Sequence, residues 1–282
     1  MLNPISGGKS KLNWQEAIVE YFKEKLHSLH FFLLTGKNDA QELGAQIKQI
    51  SPDRVIAVGG DGTVNFVAKQ LLGTNITMGI LPAGSANGLA TELKIPTDPV
   101  EALTLVENGI GKPIDVVHLE NGVISLHLAD LGLNAQLVKY FEESNWRGKL
   151  GYAKVLFKTL WRKQKVRVQI KTDDGSIVRK VYMVVLANSK SYGTGAVINP
   201  DGDLRDGKFE VVIVRRLAFS ELLKMIFQHK TFDRRKVEVL RTTEVNISCN
   251  RAFYFQSDGE YLGKMKTIEA KIIPRQIMII AD

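Results

Sequence analysis

The run Gly59-Gly60-Asp61-Gly62-Thr63 sets three glycines, a carboxylate and a hydroxyl side by side. Glycine accepts φ > 0 and lets another backbone or a ligand come close. The free N–H groups of such a turn, with a helix start behind it, favour an anion, typically a phosphate. Asp61 is the odd member, because a bare carboxylate repels phosphate. It has a use if a metal ion lies between the two, or if it serves a substrate hydroxyl. A tight turn with a solvated Asp is the plain alternative. Two more acidic turns follow. Asn199-Pro200-Asp201-Gly202-Asp203-Leu204-Arg205-Asp206-Gly207-Lys208 holds three Asp before a strand. These are hard oxygen ligands of the kind Mg²⁺ or Ca²⁺ uses, although the spacing is not that of an EF-hand. A solvated turn has the same composition. Ser257-Asp258-Gly259-Glu260 carries the Asp-Gly pair of an ordinary hairpin. Gly8-Lys9-Ser10 lacks the earlier glycine of a P-loop, since Asn3 stands there. The loop from Ser189 to Gly195 lacks the third glycine of a dinucleotide fingerprint.

The elements around these residues can be read from periodicity. Arg54-Val55-Ile56-Ala57-Val58 has the length and β-branched content of a buried strand. Val64, Val67, Ala68, Leu71 and Leu72 form the apolar stripe of a helix after the turn. Asn13 with Glu16 starts a helix in capping-box fashion, with Trp14, Ile18, Tyr21, Phe22 and Leu26 on its apolar face. His30-Phe31-Phe32-Leu33-Leu34 reads as a buried strand ending at Thr35-Gly36. Asp39 caps a helix bearing Leu43, Ile47 and Ile50. Ile76 to Leu81 is another buried strand, broken by Pro82-Ala83-Gly84, and Ser85 opens a short helix through Leu93. A helix over residues 100–106 closes this region. Strand–helix alternation with near-continuous apolar strands predicts an α/β layer with a parallel sheet. Its ligand loops, at Thr35-Gly36, residues 59–63 and residues 82–87, gather at the strands' C-terminal edge. From Ile114 the pattern becomes antiparallel and sandwich-like, with short apolar runs between turns. It is interrupted by helices over residues 135–141, 150–161 and 220–227. The expected domains are 1–111, α/β, and 112–282, β-rich and sandwich-like, with the last strand free to return to the first domain.

At 282 residues, with 44% hydrophobic and 24% charged residues, the chain can bury an ordinary globular core. A net charge of +8 favours anionic partners such as nucleotides or an anionic membrane surface. The single Cys249 excludes an internal disulfide framework and suits a reducing cytoplasm. His27, His30, His118, His127 and His229 include no metal-ligand pair at helical spacing and read as structural or surface residues. No apolar run reaches the ~18 residues of a bilayer span, and no signal peptide is visible. A cytoplasmic protein with at most peripheral membrane contact is expected. Basic residues cluster over 158–171 and 229–236. These are solvated faces, or, with Trp161, Phe227 and Phe232 beside them, interfacial ones. They are too scattered for a nucleic-acid partner.

Taken together the motifs resemble those of the diacylglycerol kinase and sphingosine kinase family of lipid kinases, in its soluble bacterial form. Asn3-Pro4-x-Ser6-Gly7 is similar to the family's opening loop. Gly59-Gly60-Asp61-Gly62-Thr63-Val64-Asn65 resembles its nucleotide signature, and Leu81-Pro82-Ala83-Gly84-Ser85-Ala86-Asn87 its second signature. Residues 188–200, Asp206-Gly207 and Asp258-Gly259-Glu260 resemble its C-terminal motifs. The resemblance implies an N-terminal α/β domain like that of NAD kinase and phosphofructokinase, followed by a β-rich domain, with ATP and Mg²⁺ in the cleft. It implies that Thr35, Gly59, Gly60, Asp61, Gly62, Thr63, Val64, Asn65, Phe66, Ser85 and Asn87 form the nucleotide site. It places Mg²⁺ on Asp203, Asp206 and Lys208, the first and last through backbone carbonyls. It puts the general base at Glu260; Asp61 remains a second candidate. The implied reaction moves the γ-phosphate of ATP to a hydroxyl of diacylglycerol, a sphingoid base or a related amphiphile at an anionic membrane surface.

The chain departs from that pattern at three places. Phe66 replaces an acidic residue common after the signature Asn. Gly88 stands where bacterial diacylglycerol kinases usually have Asp, which leans toward the sphingosine-kinase side. Only Met1 and Leu2 precede Asn3-Pro4, where the family has a full strand. Either that strand is stunted or the start codon lies too far downstream, and mass spectrometry of the native protein decides between them. An NAD kinase shares the glycine turn but is disfavoured by residues 81–87 and by Asp258-Gly259-Glu260. A catalytically silent lipid- or nucleotide-binding regulator is the non-enzymatic alternative. An edge strand of the second domain leaves room for a homodimer.

Overall fold

The computed structural model describes residue 1 and residues 14–142, 164–191, 197–216 and 237–281. The chain divides into two compact units, Met1–Ile114 with Arg275–Asp282, and Asp115–Pro274.

The first unit is α/β. Strand β1 (Arg54–Gly59) pairs in parallel with β2 (Thr77–Pro82), in register from Arg54↔Thr77 to Gly59↔Pro82. Between them runs α3 (Asp61–Leu71). Its buried residues Val64, Val67, Ala68 and Leu71 recur at i, i+3, i+4 and i+7, one face of a helix. Burying Leu71 alone is worth about 1.5–3 kcal/mol. The C-terminal end of β12 (Glu260–Ile280) joins β2 in parallel at Met278↔Thr77 and Ile279↔Met78. Around the strands lie α1 (Trp14–Phe22), α2 (Asp39–Ile50), α4 (Gly88–Glu92) and α5 (Pro99–Asn108). Helix α5 starts where Pro99 follows Asp98, whose carboxylate accepts from the amides of Val100 and Glu101, both at 3.0 Å.

Three local expectations need correction here. Residues 30–34 form no ladder apart from a single bridge at Leu33. A cavity of about 140 Å³, lined by Phe31, Phe32, Leu43, Ile47, Val55 and Met1 among others, lies beside this segment. Residues of this segment and of β1 both line it. Met1 bonds β1, its amine to the Ile56 carbonyl (2.8 Å) and its carbonyl to the Val58 amide (3.0 Å). Leu26 is fully exposed because α1 has ended at Phe22. The short helix opens at Gly88 rather than Ser85, since Asn87 takes the left-handed conformation (φ 51°) and caps it.

The second unit is β-rich. Strand β3 (Gly111–Leu119) leads the chain into it and pairs with β4 (Ile124–Ser125). Antiparallel pairs join β5 (Leu128–Gly132) to β8 (Met183–Ala187), and β8 to β9 (Phe209–Val214). They also join β9 to β10 (Val237–Thr242), and β6 (Val166–Thr172) to β7 (Gly175–Val181). The long β11 (Glu244–Ser257) serves both layers. Its first half pairs with β6 and its last residues with β5, and a bulge between Ser248 and Phe253 re-aims it. Val168, Ile170, Leu186, Val211, Ile247 and Phe255 fill the space between the layers. The other face of β8 and β9 packs on α6 (Leu133–Glu142) through Leu133, Leu137, Met183, Val185 and Val212. Strand β9 is therefore covered on both faces, which is why it reads as an apolar run interrupted only by Glu210. The helices expected over 150–161 and 220–227, the opening loop, and the basic segment 229–236 lie outside the described residues.

Candidate functional site

In the first unit the two glycine signatures meet. A Cβ on Gly84 would stand 2.4 Å from the Cα of Gly60, closer than any side chain allows. The Ala83 amide donates to the Gly59 carbonyl at 3.0 Å, extending the β1–β2 pairing into the loops. Asn87 closes the second loop on itself: its Oδ1 accepts from the Gly84 amide (2.8 Å) and its Nδ2 donates to the Gly84 carbonyl (3.0 Å). A Cβ on Gly59 would collide with the Thr63 side chain at 2.4 Å. Gly60 and Gly84 are thus required by backbone-to-backbone approach at the start of α3, and Gly59 by the Thr63 side chain. That start leaves helix amides beside bare backbone, the arrangement that holds a phosphate.

Asp61 has a definite task within this arrangement. Its Oδ2 accepts from the Gly88 amide (2.9 Å) and its Oδ1 from the Leu89 amide (3.1 Å). One carboxylate therefore ties the first turn of α3 to the first turn of α4, satisfying amides that have no partner within that helix. The side chains of Thr63, Val64 and Asn65 are buried and Phe66 is half-buried, so these four shape the helix start. Ser85 is exposed. Thr35 sits in its own turn, held by Asp39. The amides of Thr35 (3.0 Å) and Gly36 (2.8 Å) and the Thr35 hydroxyl (2.8 Å) all donate to that carboxylate. These donors, the Thr35 amide foremost, hold the Asp39 carboxyl below its ordinary range. Asp39 was expected to cap its own helix; it fixes the preceding turn instead, and Asn38 is the cap residue.

In the second unit Asp258 and Gly259 form a two-residue hairpin turn with φ of 47° and 87°, the double positive φ that Asp-Gly favours. Asp258 is buried. It accepts from the Leu126 (2.7 Å), His127 (3.1 Å) and Leu128 (3.1 Å) amides and from the Ser125 hydroxyl (3.0 Å). The His127 ring lies 3.8 Å from the same carboxylate. A second chain of bonds reaches the turn from α6. Asp130 accepts from Asn134 (2.6 Å), from the Ala135 amide (2.9 Å) and from Gln256, and Gln256 Oε1 accepts from the Gly259 amide (2.8 Å). Glu260, exposed at the first position after this turn, is therefore carried on a rigid hairpin.

The acidic loop is held in a similar way. The buried Asp115 accepts from the Gly207 amide (2.6 Å), its own amide donates to Leu204 (2.7 Å), and Asn188 donates to the Asp115 carbonyl (2.9 Å). Asp206 is half-buried; it takes the Lys208 amide at 2.9 Å on one oxygen and pairs with Arg241 through the other. Arg241 also approaches Glu210 at 3.4 Å. Burial, foremost, raises the Glu210 carboxyl, while a hydrogen bond from Asn199 (2.6 Å) opposes the rise. Among the described residues no group of three His, Cys, Asp or Glu side chains converges as a metal cluster. The expected set makes no such demand. One carboxylate, Asp206, and the carbonyls of Asp203 and Lys208 are all hard oxygens, a protein-poor and water-rich set that suits Mg²⁺.

The sequence did not single out Asp115, Asp130, Gln256 or Arg241, and offered Asn188 only at the head of the 188–200 motif. The signal available for two of them was an acid inside a buried apolar run, Ile114-Asp115-Val116 and Ala129-Asp130-Leu131. Such a carboxylate must find donors.

Residues 1–119 match the diacylglycerol kinase catalytic domain, and residues 128–281 match the YegS C-terminal NAD kinase beta sandwich-like domain. The chain belongs to the diacylglycerol kinase and YegS family of lipid kinases. A diacylglycerol kinase of Bacillus subtilis (strain 168) is 25% identical over 272 residues, 93% of this chain and 89% of that protein. A "Probable lipid kinase YegS-like" of Pectobacterium atrosepticum is 28% identical over 286 residues, 98% and 93% of the two chains. In fold, the chain is similar to a diacylglycerol kinase structure from Bacillus anthracis str. Sterne, with TM-score 0.76, 20% identity, and 99% and 94% of the chains covered. An NAD kinase of Archaeoglobus fulgidus solved with ATP is a more distant fold match, TM-score 0.54 at 14% identity over 96% and 90% of the chains. The α/β-plus-sandwich architecture and the family read from the motifs are both borne out.

Proposed function

We propose that this lipid-kinase family member transfers the γ-phosphate of ATP to a hydroxyl of diacylglycerol, a sphingoid base or a related amphiphile, with Mg²⁺. The observation that carries the nucleotide half is the Gly60–Gly84 approach, which brings both signatures together at the start of α3. On this reading the backbone of residues 59–63 and of 84–87 holds the phosphates, Ser85 offers an exposed hydroxyl, and Thr35 contributes the turn that its own hydroxyl ties to Asp39. Glu260 accepts the proton of the acceptor hydroxyl as its oxygen bonds to the γ-phosphorus and the bond to ADP breaks. Asp61, with both oxygens bonded to backbone amides, is assigned to positioning. Asp206 and the carbonyls of Asp203 and Lys208 would hold Mg²⁺. When bound, the ion supplies charge neutralisation to the phosphates.

Labelled ATP offered with diacylglycerol, sphingosine, phosphatidylglycerol and NAD tests this reading. Transfer to a lipid supports it, and transfer to NAD alone ends it. ATP binding without transfer to any acceptor would instead identify a silent regulator. Glu260→Gln is expected to lower kcat by about 10²–10⁴ while leaving the KM for ATP near the parent value. Asp61→Asn is expected to raise the KM for ATP as well, because an amide NH₂ would face the backbone donors of Gly88 and Leu89. Parent-like kinetics in the Glu260 variant would remove it from the mechanism.

A further inference from the structure

The acidic loop of the second unit already has a cation against it. Arg241 stands on β10 directly across from Glu210 of β9. Its Nη2 donates to Asp206 Oδ2, and its Nε lies 3.4 Å from Glu210 Oε1. One guanidinium therefore spans two carboxylates, the half-buried Asp206 and the buried Glu210, while its own side chain is half exposed. Each carboxylate has a second tie. Asp206 Oδ1 accepts from the Lys208 amide at 2.9 Å, which closes the loop on itself, and Glu210 Oε2 accepts from Asn199 at 2.6 Å. Oδ2 is thus the Asp206 oxygen turned to a partner outside the loop, and it carries the guanidinium.

Asp206 is also the one side-chain ligand in the set proposed for Mg²⁺. A divalent ion there would share a single carboxylate with Arg241. Arginine stays protonated throughout the working range of pH, so loss of a proton cannot relieve the contest. Movement can relieve it, because the guanidinium is already beside a second acceptor, Glu210. We infer that Arg241 is a competing counter-ion of the acidic loop. It sets the loop's affinity for a divalent cation, and it passes from Asp206 to Glu210 as the ion binds. The inference rests on the assignment of Mg²⁺ to this loop. An ordinary ion pair between β10 and the loop is the alternative. In that role its loss would leave cation affinity unchanged, or lower it as the loop loosens.

The test is titration of the full chain, stripped of metal by a chelator, with Mn²⁺ as the spin-active stand-in for Mg²⁺. Electron paramagnetic resonance counts the free ion. No nucleotide is present, so the reading needs no turnover. A unit charge a few Å from a doubly charged ion at a half-exposed site changes affinity by about tenfold or more. Arg241→Gln should therefore bind Mn²⁺ about tenfold more tightly than the parent. Arg241→Lys, which keeps the charge but loses the planar fork, should fall between the two. Unchanged or weaker binding by Arg241→Gln, with parent-like circular dichroism, overturns the inference. Asp206→Asn locates the ion and should lose it whether or not Arg241 is present. If Asp206→Asn binds like the parent, the ion is held elsewhere, and the Mg²⁺ assignment falls together with the inference. If Asp206→Asn loses the ion while Arg241→Gln gains nothing, the inference alone falls. The Arg241 Nε–H resonance, followed in a titration of the parent with diamagnetic Mg²⁺, is an independent reading that needs no variant. It should move as the guanidinium leaves Asp206 for Glu210, and a signal that stays fixed up to saturation overturns the handover.

Discussion

At the residue scale, most of the site's geometry is set by atoms that are absent. Gly60 and Gly84 approach so closely that a methyl on Gly84 would overlap the neighbouring backbone. Gly84→Ala must therefore push the two signature loops apart, at a cost of roughly 1–3 kcal/mol. The expected result is a fall in ATP affinity of about tenfold or more, with the core intact, measured by titration calorimetry. Unchanged affinity would mean the loops need not touch for ATP to bind. Asp39 supplies a second residue-scale expectation, with a sign. Its carboxyl is depressed by the Thr35 and Gly36 donors, so its support for the turn is complete at neutral pH. The support persists through the ordinary carboxylate range and is lost as pH falls through the lower, folded value. The Gly36 amide resonance should hold its native position until that acid range is reached. In Asp39→Asn it should be displaced already at neutral pH. A parent resonance that moves near the ordinary carboxylate pKa would contradict the sign.

At the element scale, local pattern and long-range partnership divide what could be read in advance. The strand–turn–helix unit from β1 to α3 was legible because glycine, alternation and a 3.6-residue stripe are local signals. The buried anchors were not. Asp258 meets its donors 130 to 133 residues away, and Gln256 meets Asp130 across 126 residues, with no local spacing to announce them. Runs 245–249 and 253–256 looked like two strands because a bulge and a gap give the same pattern; they are one strand, β11. The segment at 30–34 failed in the opposite direction, having strand composition without a ladder partner among the described residues. The hairpin between β11 and β12 depends on Asp258. Asp258→Ala leaves a hydroxyl and three amides without their acceptor in a buried place, an expected loss of roughly 2–5 kcal/mol. Urea unfolding followed by circular dichroism would measure it, and a loss under about 0.5 kcal/mol would show that water replaces the carboxylate.

At the scale of the whole molecule, the chain enters its second unit after Ile114 and leaves it after Pro274, so the β-rich unit is an insertion into the α/β one. The insertion carries its own chemical reporter. Cys249, the single cysteine of the sequence, lies on β11 opposite Val168 of β6, and burial pushes its thiol up to about 11. At pH 8 a thiol of that acidity is about one part in a thousand thiolate, against roughly a quarter for an exposed cysteine. The folded protein should therefore react very slowly with a disulfide reagent, and urea should release one thiol per chain. If β11 opens only with the unit it holds together, labelling should follow the stability of that unit. Asp258→Ala, which weakens the other end of the same strand, should speed it in proportion to the lost free energy. Gly84→Ala, which acts on the first unit's loops, should serve as the contrast with little effect on the rate. Prompt stoichiometric labelling of the folded parent would show that β11 opens locally and that the strand does not bind its layers into one cooperative unit.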